Sequence, residues 1–131
     1  MRDQRLEQTI QRIERALARI GAIMVPINFW YRSGEIAYTM DQAGCGGLLV
    51  EGQFSDALPD LAEHPTVKWI EYFGAAIAPA SDRSLEEAMA AAPTTTPDIS
   101  VAETDPRIVL YTSGTTGFPK GATFCHRNHY R

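Results

Sequence analysis

Leu6, Ile10, Ile13, Leu17 and Ile20 recur at spacings of four and three, which lays them along one stripe of a helix over about residues 3–20. Gly21 supplies the stop, because a residue without Cβ ends a helix in the left-handed conformation at no steric cost. The remaining faces carry Arg12, Arg15 and Arg19 against Glu7 and Glu14, a solvated surface with internal ion pairs. The apolar stripe is expected to dock on a sheet, since two heptad-like repeats are too short for a coiled coil.

Past Gly21 the pattern shortens. Residues 22–27 form an apolar run closed by Asn28 and read as a buried strand. Ser33 is placed to cap a second helix with Ile36, Ala37 and Met40 on its inner side. Trp30, Tyr31 and Arg32 look like a stacking platform for a base but are assigned to packing. Gly44, Gly46 and Gly47 then break the chain before Leu48, Leu49 and Val50, a short buried strand. Residues 54–63 read as a short helix interrupted by Pro59. Residues 67–72 alternate at period two and predict a strand, and residues 84–91 predict a helix capped by Ser84 or Asp82. Glu86 and Glu87 are neighbours that diverge on that helix, so they do not form an acid–base pair.

The stretch over 92–106 opens with prolines and threonines without periodicity and is a connecting loop. After it come a strand around residues 107–111, a Ser/Thr/Gly-rich loop over 111–121, a strand around 122–124 and a helix starting at His126. The order of strand and helix predicts an α/β layered architecture with a mostly parallel sheet and flanking helices.

The loop carries the chemistry. Tyr111-Thr112-Ser113-Gly114-Thr115-Thr116-Gly117-Phe118-Pro119-Lys120-Gly121 concentrates hydroxyls, glycines and a lysine. Backbone N–H groups freed by Gly114, Gly117 and Gly121 can converge into an anion nest. The hydroxyls of Thr112, Ser113, Thr115 and Thr116 add donors, and Lys120 adds a full charge. Pro119 fixes its own φ and biases Phe118 toward an extended conformation, stiffening the far side. Together these suit a polyphosphate. A Walker A loop beginning at Gly114 is excluded, because its second glycine would fall on Pro119 and its Ser or Thr on Gly121. A bland polar turn would account for Ser, Thr and Gly, but gives no reason for Pro-Lys-Gly after Thr-Gly-Phe.

That string, followed by His126-Arg127-Asn128, resembles the signature phosphate loop of the adenylate-forming (AMP-binding) superfamily, which contains acyl-CoA synthetases, luciferases and peptide-synthetase adenylation domains. The segment over 16–50, with Val25-Pro26-Ile27-Asn28 and Glu35-Ile36-Ala37-Tyr38, is similar to the region ahead of that loop in fatty-acyl-CoA ligases. The resemblance covers about residues 16–131, leaving 1–15 as an unmatched helical leader. It implies that the whole chain, 1–131, is a partial N-terminal AMP-binding domain. The implied phosphate contacts are Thr112, Ser113, Gly114, Thr115, Thr116, Gly117 and Lys120. Implied too are ATP, Mg2+ and coenzyme A as cofactors, with a carboxylic (fatty) acid activated as an acyl-adenylate and passed to coenzyme A. Cys125 stands where the superfamily usually carries Ser or Thr, which weakens the expected helix cap.

The superfamily's adenine, ribose and Mg2+ motifs and its catalytic lysine lie downstream of this stretch, so the 131-residue chain alone is expected to be inactive. The alternative is a non-catalytic interaction or nucleotide-binding protein. A composition of 44% hydrophobic and 21% charged residues suits a packed core. The net charge of -4 argues against a nucleic-acid partner. Cys125, His126 and His129 cluster without a further ligand at metal spacing, so no metal site is expected. The charged start is no signal peptide, no apolar run spans a bilayer, and Cys45 and Cys125 lack redox spacing, all fitting a cytoplasmic location.

Overall fold

A computed structural model describes residues 4–74, 84–112 and 117–129, so Asp3, Asp82 and the loop residues Ser113, Gly114, Thr115 and Thr116 lie outside the described residues. The chain divides into two units, one made of residues 1–26 and 95–131 and the other of residues 27–94.

In the first unit, helix α1 (Gln4–Arg19) follows the apolar stripe. Gly21 takes φ 69°, the Ala22 N–H donates to Leu17 O at 2.9 Å and the Gly21 N–H to Ala18 O at 3.4 Å, a Schellman motif. The stripe is less covered than its docking expectation: Leu6, Ile13 and Leu17 are half-buried, while Ile10 and Ile20 are exposed. The strand expected over 22–27 is a single rung. Met24 N–H donates to Arg107 O and Val109 N–H to Met24 O, both at 2.9 Å, making one parallel bridge. The next rung would need an N–H from Pro26, which has none, so the ladder stops there.

Strand β3 (Pro106–Thr112) pairs antiparallel with β4 (Lys120–Cys125), from Pro106 opposite Cys125 to Thr112 opposite Lys120. A one-turn helix α4 (His126–His129) follows.

In the second unit, helix α2 (Ser33–Ala43) begins one residue earlier than expected. The cap is Arg32, and Ser33 is the first helical residue. Glu35 Oε2 accepts from the Arg32 N–H at 2.9 Å, so the first turn is closed from within the helix. Gly44, at φ 63°, ends it, with Cys45 N–H donating to Met40 O at 3.0 Å. Strands β1 (Gly47–Glu51) and β2 (Trp69–Phe73) pair in parallel, Gly47 opposite Trp69. Ile36 and Met40 of α2 pack with Leu48, Val50 and Tyr72 into the buried core, where Met40 has no exposed surface. Burying such a side chain is worth about 1.5–3 kcal/mol.

The helix expected over 54–63 is replaced by two 3-10 turns, Gly52–Ala57 and Leu61–Glu63. Pro59 explains the break: it cannot donate, and it holds Leu58 extended at ψ 146°. Helix α3 (Leu85–Ala91) has the Ser84 cap, with Ser84 Oγ accepting from Glu87 N–H at 3.1 Å and Glu87 Oε2 accepting from Ser84 N–H at 3.2 Å. Glu87 is thereby a capping residue. Trp30 corrects the packing assignment: Tyr31 lies against the core, but Trp30 is 77% exposed, its ring 4.9 Å between centroids from that of its neighbour Phe29.

Candidate phosphate-binding hairpin

β3 leads into the loop and β4 leads out of it, so the loop crowns an antiparallel hairpin. Thr112 and Lys120 form its last rung, and Thr112 Oγ1 donates to Lys120 O at 3.4 Å. Both side chains are exposed, as are Gly117 and Phe118, whereas Pro119 is half-buried. Of the seven residues singled out in the sequence, Thr112, Gly117 and Lys120 are therefore placed at the two ends of the crown.

No Asp or Glu occurs from Pro106 to Cys125, while Arg107 and Lys120 do. Arg107 is neutralised by Glu14, but Lys120 makes no ion pair among the described residues. The described ends of the tip thus present the Thr112 hydroxyl and the Lys120 cation side by side on an acid-free stretch of sequence, an arrangement that attracts an anion.

Gly121 has a different reason for being glycine than the loop chemistry suggests. A Cβ there would meet Val109 Cγ1 at 2.8 Å and Tyr111 Cζ at 3.1 Å. Its opposite number across the hairpin is Tyr111, whose ring occupies the space a side chain would need. Gly121 thus has a packing reason within the hairpin itself.

The feet of the hairpin are held by a dense set of bonds. Asp105 Oδ2 accepts from Ala102 N–H at 2.8 Å, and Asp105 O accepts from His126 N–H at 3.1 Å. Arg127 N–H donates to Glu103 O at 2.8 Å, and the Arg127 guanidinium pairs with the Glu103 carboxylate. Asn128 Oδ1 accepts from both the Cys125 N–H at 2.9 Å and its thiol at 3.0 Å. No group of three or more His, Cys, Asp or Glu able to hold a metal ion exists among the described residues. Nor is any helix there long and apolar enough to cross a membrane.

The rungs that sequence reasoning missed lie at the hairpin's base. Arg107 is buried and its Nη2 donates to Glu14 Oε1 at 2.8 Å, across a separation of 93 residues. Periodicity carries no signal for such a pair.

Residues 13–131 match the AMP-binding enzyme family. A medium/long-chain-fatty-acid–CoA/3-oxocholest-4-en-26-oate–CoA ligase of Mycobacterium marinum is 33% identical over 88% of this chain and 22% of its own length. Among solved structures, a long-chain-fatty-acid-CoA ligase of Archaeoglobus fulgidus superposes with a TM-score of 0.77 at 27% identity, covering 92% of this chain and 23% of that one. The apo structure of MbtA from Mycobacterium smegmatis gives 0.76 at 26% identity, over 92% of this chain and 22% of that one. The chain thus spans about a fifth of the length of the curated relatives it matches.

Proposed function

This chain belongs to the AMP-binding enzyme family, and from that premise we propose that it supplies the phosphate-binding hairpin of an ATP-dependent acyl-CoA ligase acting on a fatty acid. The observation that carries the reading is the acid-free hairpin with Lys120 and Thr112 paired at the root of its Ser/Thr/Gly crown. In the proposed reaction a carboxylate oxygen attacks the α-phosphorus of ATP, the bond to the bridging oxygen breaks and pyrophosphate leaves. The acyl-adenylate is then attacked by the coenzyme A sulfur, which gives up its proton as AMP departs.

The hairpin's part is to bind and orient. Thr112, Ser113, Gly114, Thr115, Thr116, Gly117 and Lys120 hold the β- and γ-phosphates so that the α-phosphorus faces the carboxylate. Positioning and charge stabilisation account for this step without covalent chemistry from the protein. Mg2+, when bound, shields the charge of the phosphate oxygens. With hydroxyls but no carboxylate, the hairpin's residues would hold phosphate oxygens and not Mg2+ itself, a cation that keeps waters and substrate oxygens among its ligands. The fatty-acid preference draws on the substrates named for the mycobacterial relatives. Two free cysteines, Cys45 and Cys125, accord with a reducing, cytoplasmic setting.

The reading is tested by ATP–pyrophosphate exchange in the polypeptide that carries this chain. Exchange that depends on a medium- or long-chain fatty acid supports it, and exchange absent with every carboxylate tried rejects it. A non-catalytic association role is the second reading, favoured by the exposed Ile10 on α1 and the exposed Ile20 just beyond it. It predicts concentration-dependent sedimentation with no response to ATP.

A further inference from the structure

Arg107 is the extra residue of a β-bulge. Between Pro106 and Ile108 the register with β4 slips, so β3 advances two residues where its partner moves from Cys125 to Phe124. A bulge re-aims a side chain and bends its strand. Here the re-aimed side chain is buried, and its guanidinium meets Glu14 of α1. The same residue's carbonyl accepts the Met24 N–H, while Met24 O accepts from Val109. Five residues after Arg107, the strand delivers Thr112 to the loop.

Resting on the phosphate-binding reading above, we propose that Glu14 is a positioning residue for the phosphate loop. It touches no substrate. Its carboxylate neutralises a guanidinium that the bulge has turned into the interior, and so fixes the foot of the strand whose other end carries Thr112 opposite Lys120. A buried arginine without its partner cannot stay where it is cheaply: it must leave toward water or drag the strand with it. Either movement loosens the bulge and the Met24 rung, because the side chain and the carbonyl belong to one residue. Helix α1 therefore acts on the loop through the Glu14–Arg107 ion pair, although the helix begins ahead of the residues that match the family.

The test compares Glu14→Gln with the charge-swapped pair Glu14→Arg/Arg107→Glu by backbone amide exchange and by titration with Mg-ATP. In Glu14→Gln we expect exchange over 108–112 and 120–124 to quicken about tenfold, as for a locally opened segment, with the unit of residues 27–94 unchanged. ATP affinity is expected to fall about tenfold, and the swapped pair to recover both, since coupling within a charge pair is what such a cycle isolates. Unchanged exchange in Glu14→Gln would overturn the proposal. So would quickening spread evenly over both units, which marks a residue of general stability only. Faster exchange at unaltered ATP affinity, or weaker affinity at unaltered exchange, would equally overturn it by separating strand from loop. If the unsubstituted chain binds no ATP, the phosphate-binding reading fails for the chain, and the exchange comparison still decides whether Glu14 holds β3. Should Glu14→Gln not fold, Glu14→Asp keeps the charge, shortens the reach and carries the same comparison.

Discussion

Thr112 Oγ1 reaches the carbonyl of Lys120 across the last rung of the β3–β4 hairpin, so the residue that enters the Ser/Thr/Gly-rich loop and the one that leaves it are tied together. The bond joins the Thr112 side chain to the Lys120 backbone at the two ends of the loop.

Lys120→Ala tests the cation. Losing one charge-assisted contact costs about 1.5–3 kcal/mol, or roughly 10- to 150-fold in ATP affinity. If the proposed activity holds, the adenylation half-reaction of the polypeptide that carries this chain should slow by about that factor, with the thioester half-reaction less affected. Equal losses in both half-reactions would remove Lys120 from the phosphate site.

Gly121→Ala tests the packing of the hairpin. The new methyl would stand 2.8 Å from Val109 Cγ1 and 3.1 Å from the Tyr111 ring. Overpacking of this kind costs about 1–3 kcal/mol. Thermal unfolding should show a lowered midpoint together with faster amide exchange in β4. An unaltered midpoint would mean that Tyr111 yields freely and that the glycine is kept for another reason.

Gly47→Ala makes the parallel case in the other unit. The Trp69 indole lies across Gly47, so closely that a Cβ there would fall 2.0 Å from Cε2. The ring has to move off the sheet. In a Trp30→Phe background, which leaves Trp69 as the sole indole, emission should shift to the red on substitution. An unshifted spectrum would contradict the stacked geometry.

Cys45 provides a pH signature. Burial, with the Asp41 carboxylate adding to it, raises the thiol above its ordinary value. The protonated form is the one the fold favours, so the stabilisation is complete below the unfolded thiol's pKa. It is lost as pH rises through the folded pKa, because the unfolded chain gives up its proton first. Iodoacetamide at mildly alkaline pH should therefore modify Cys45 more slowly in the folded chain than in urea. Equal rates would refute the buried, protonated assignment.

How far the fold could be read in advance depended on whether the deciding interaction was local. The Gly21 and Gly44 stops, the Ser84 cap and the strands flanking the loop all depend on residues within a turn or two, and each was legible. Residues 22–27 were not, since their apolar run looks like a strand while Pro26 removes the donor for its second rung. Pro59 had the same effect on residues 54–63, splitting one expected helix into two short turns. The Arg32 cap escaped notice because the closing group is the Glu35 side chain, three residues inside the helix.

The candidate site divides along the same line. Its loop was readable as an ordered string of residue types. Its support was not, because Glu14 and Arg107 meet only after α1 and β3 have packed. Gly121 was assigned to backbone freedom around a ligand until the position of Tyr111 across the strand gave it a steric reason.

Amide exchange of the chain with and without millimolar Mg-ATP tests the central claim most directly. The account predicts slowed exchange over residues 111–121, abolished by Lys120→Ala, with residues 27–94 unaffected by the nucleotide. Exchange over 111–121 that is identical with and without Mg-ATP would contradict it.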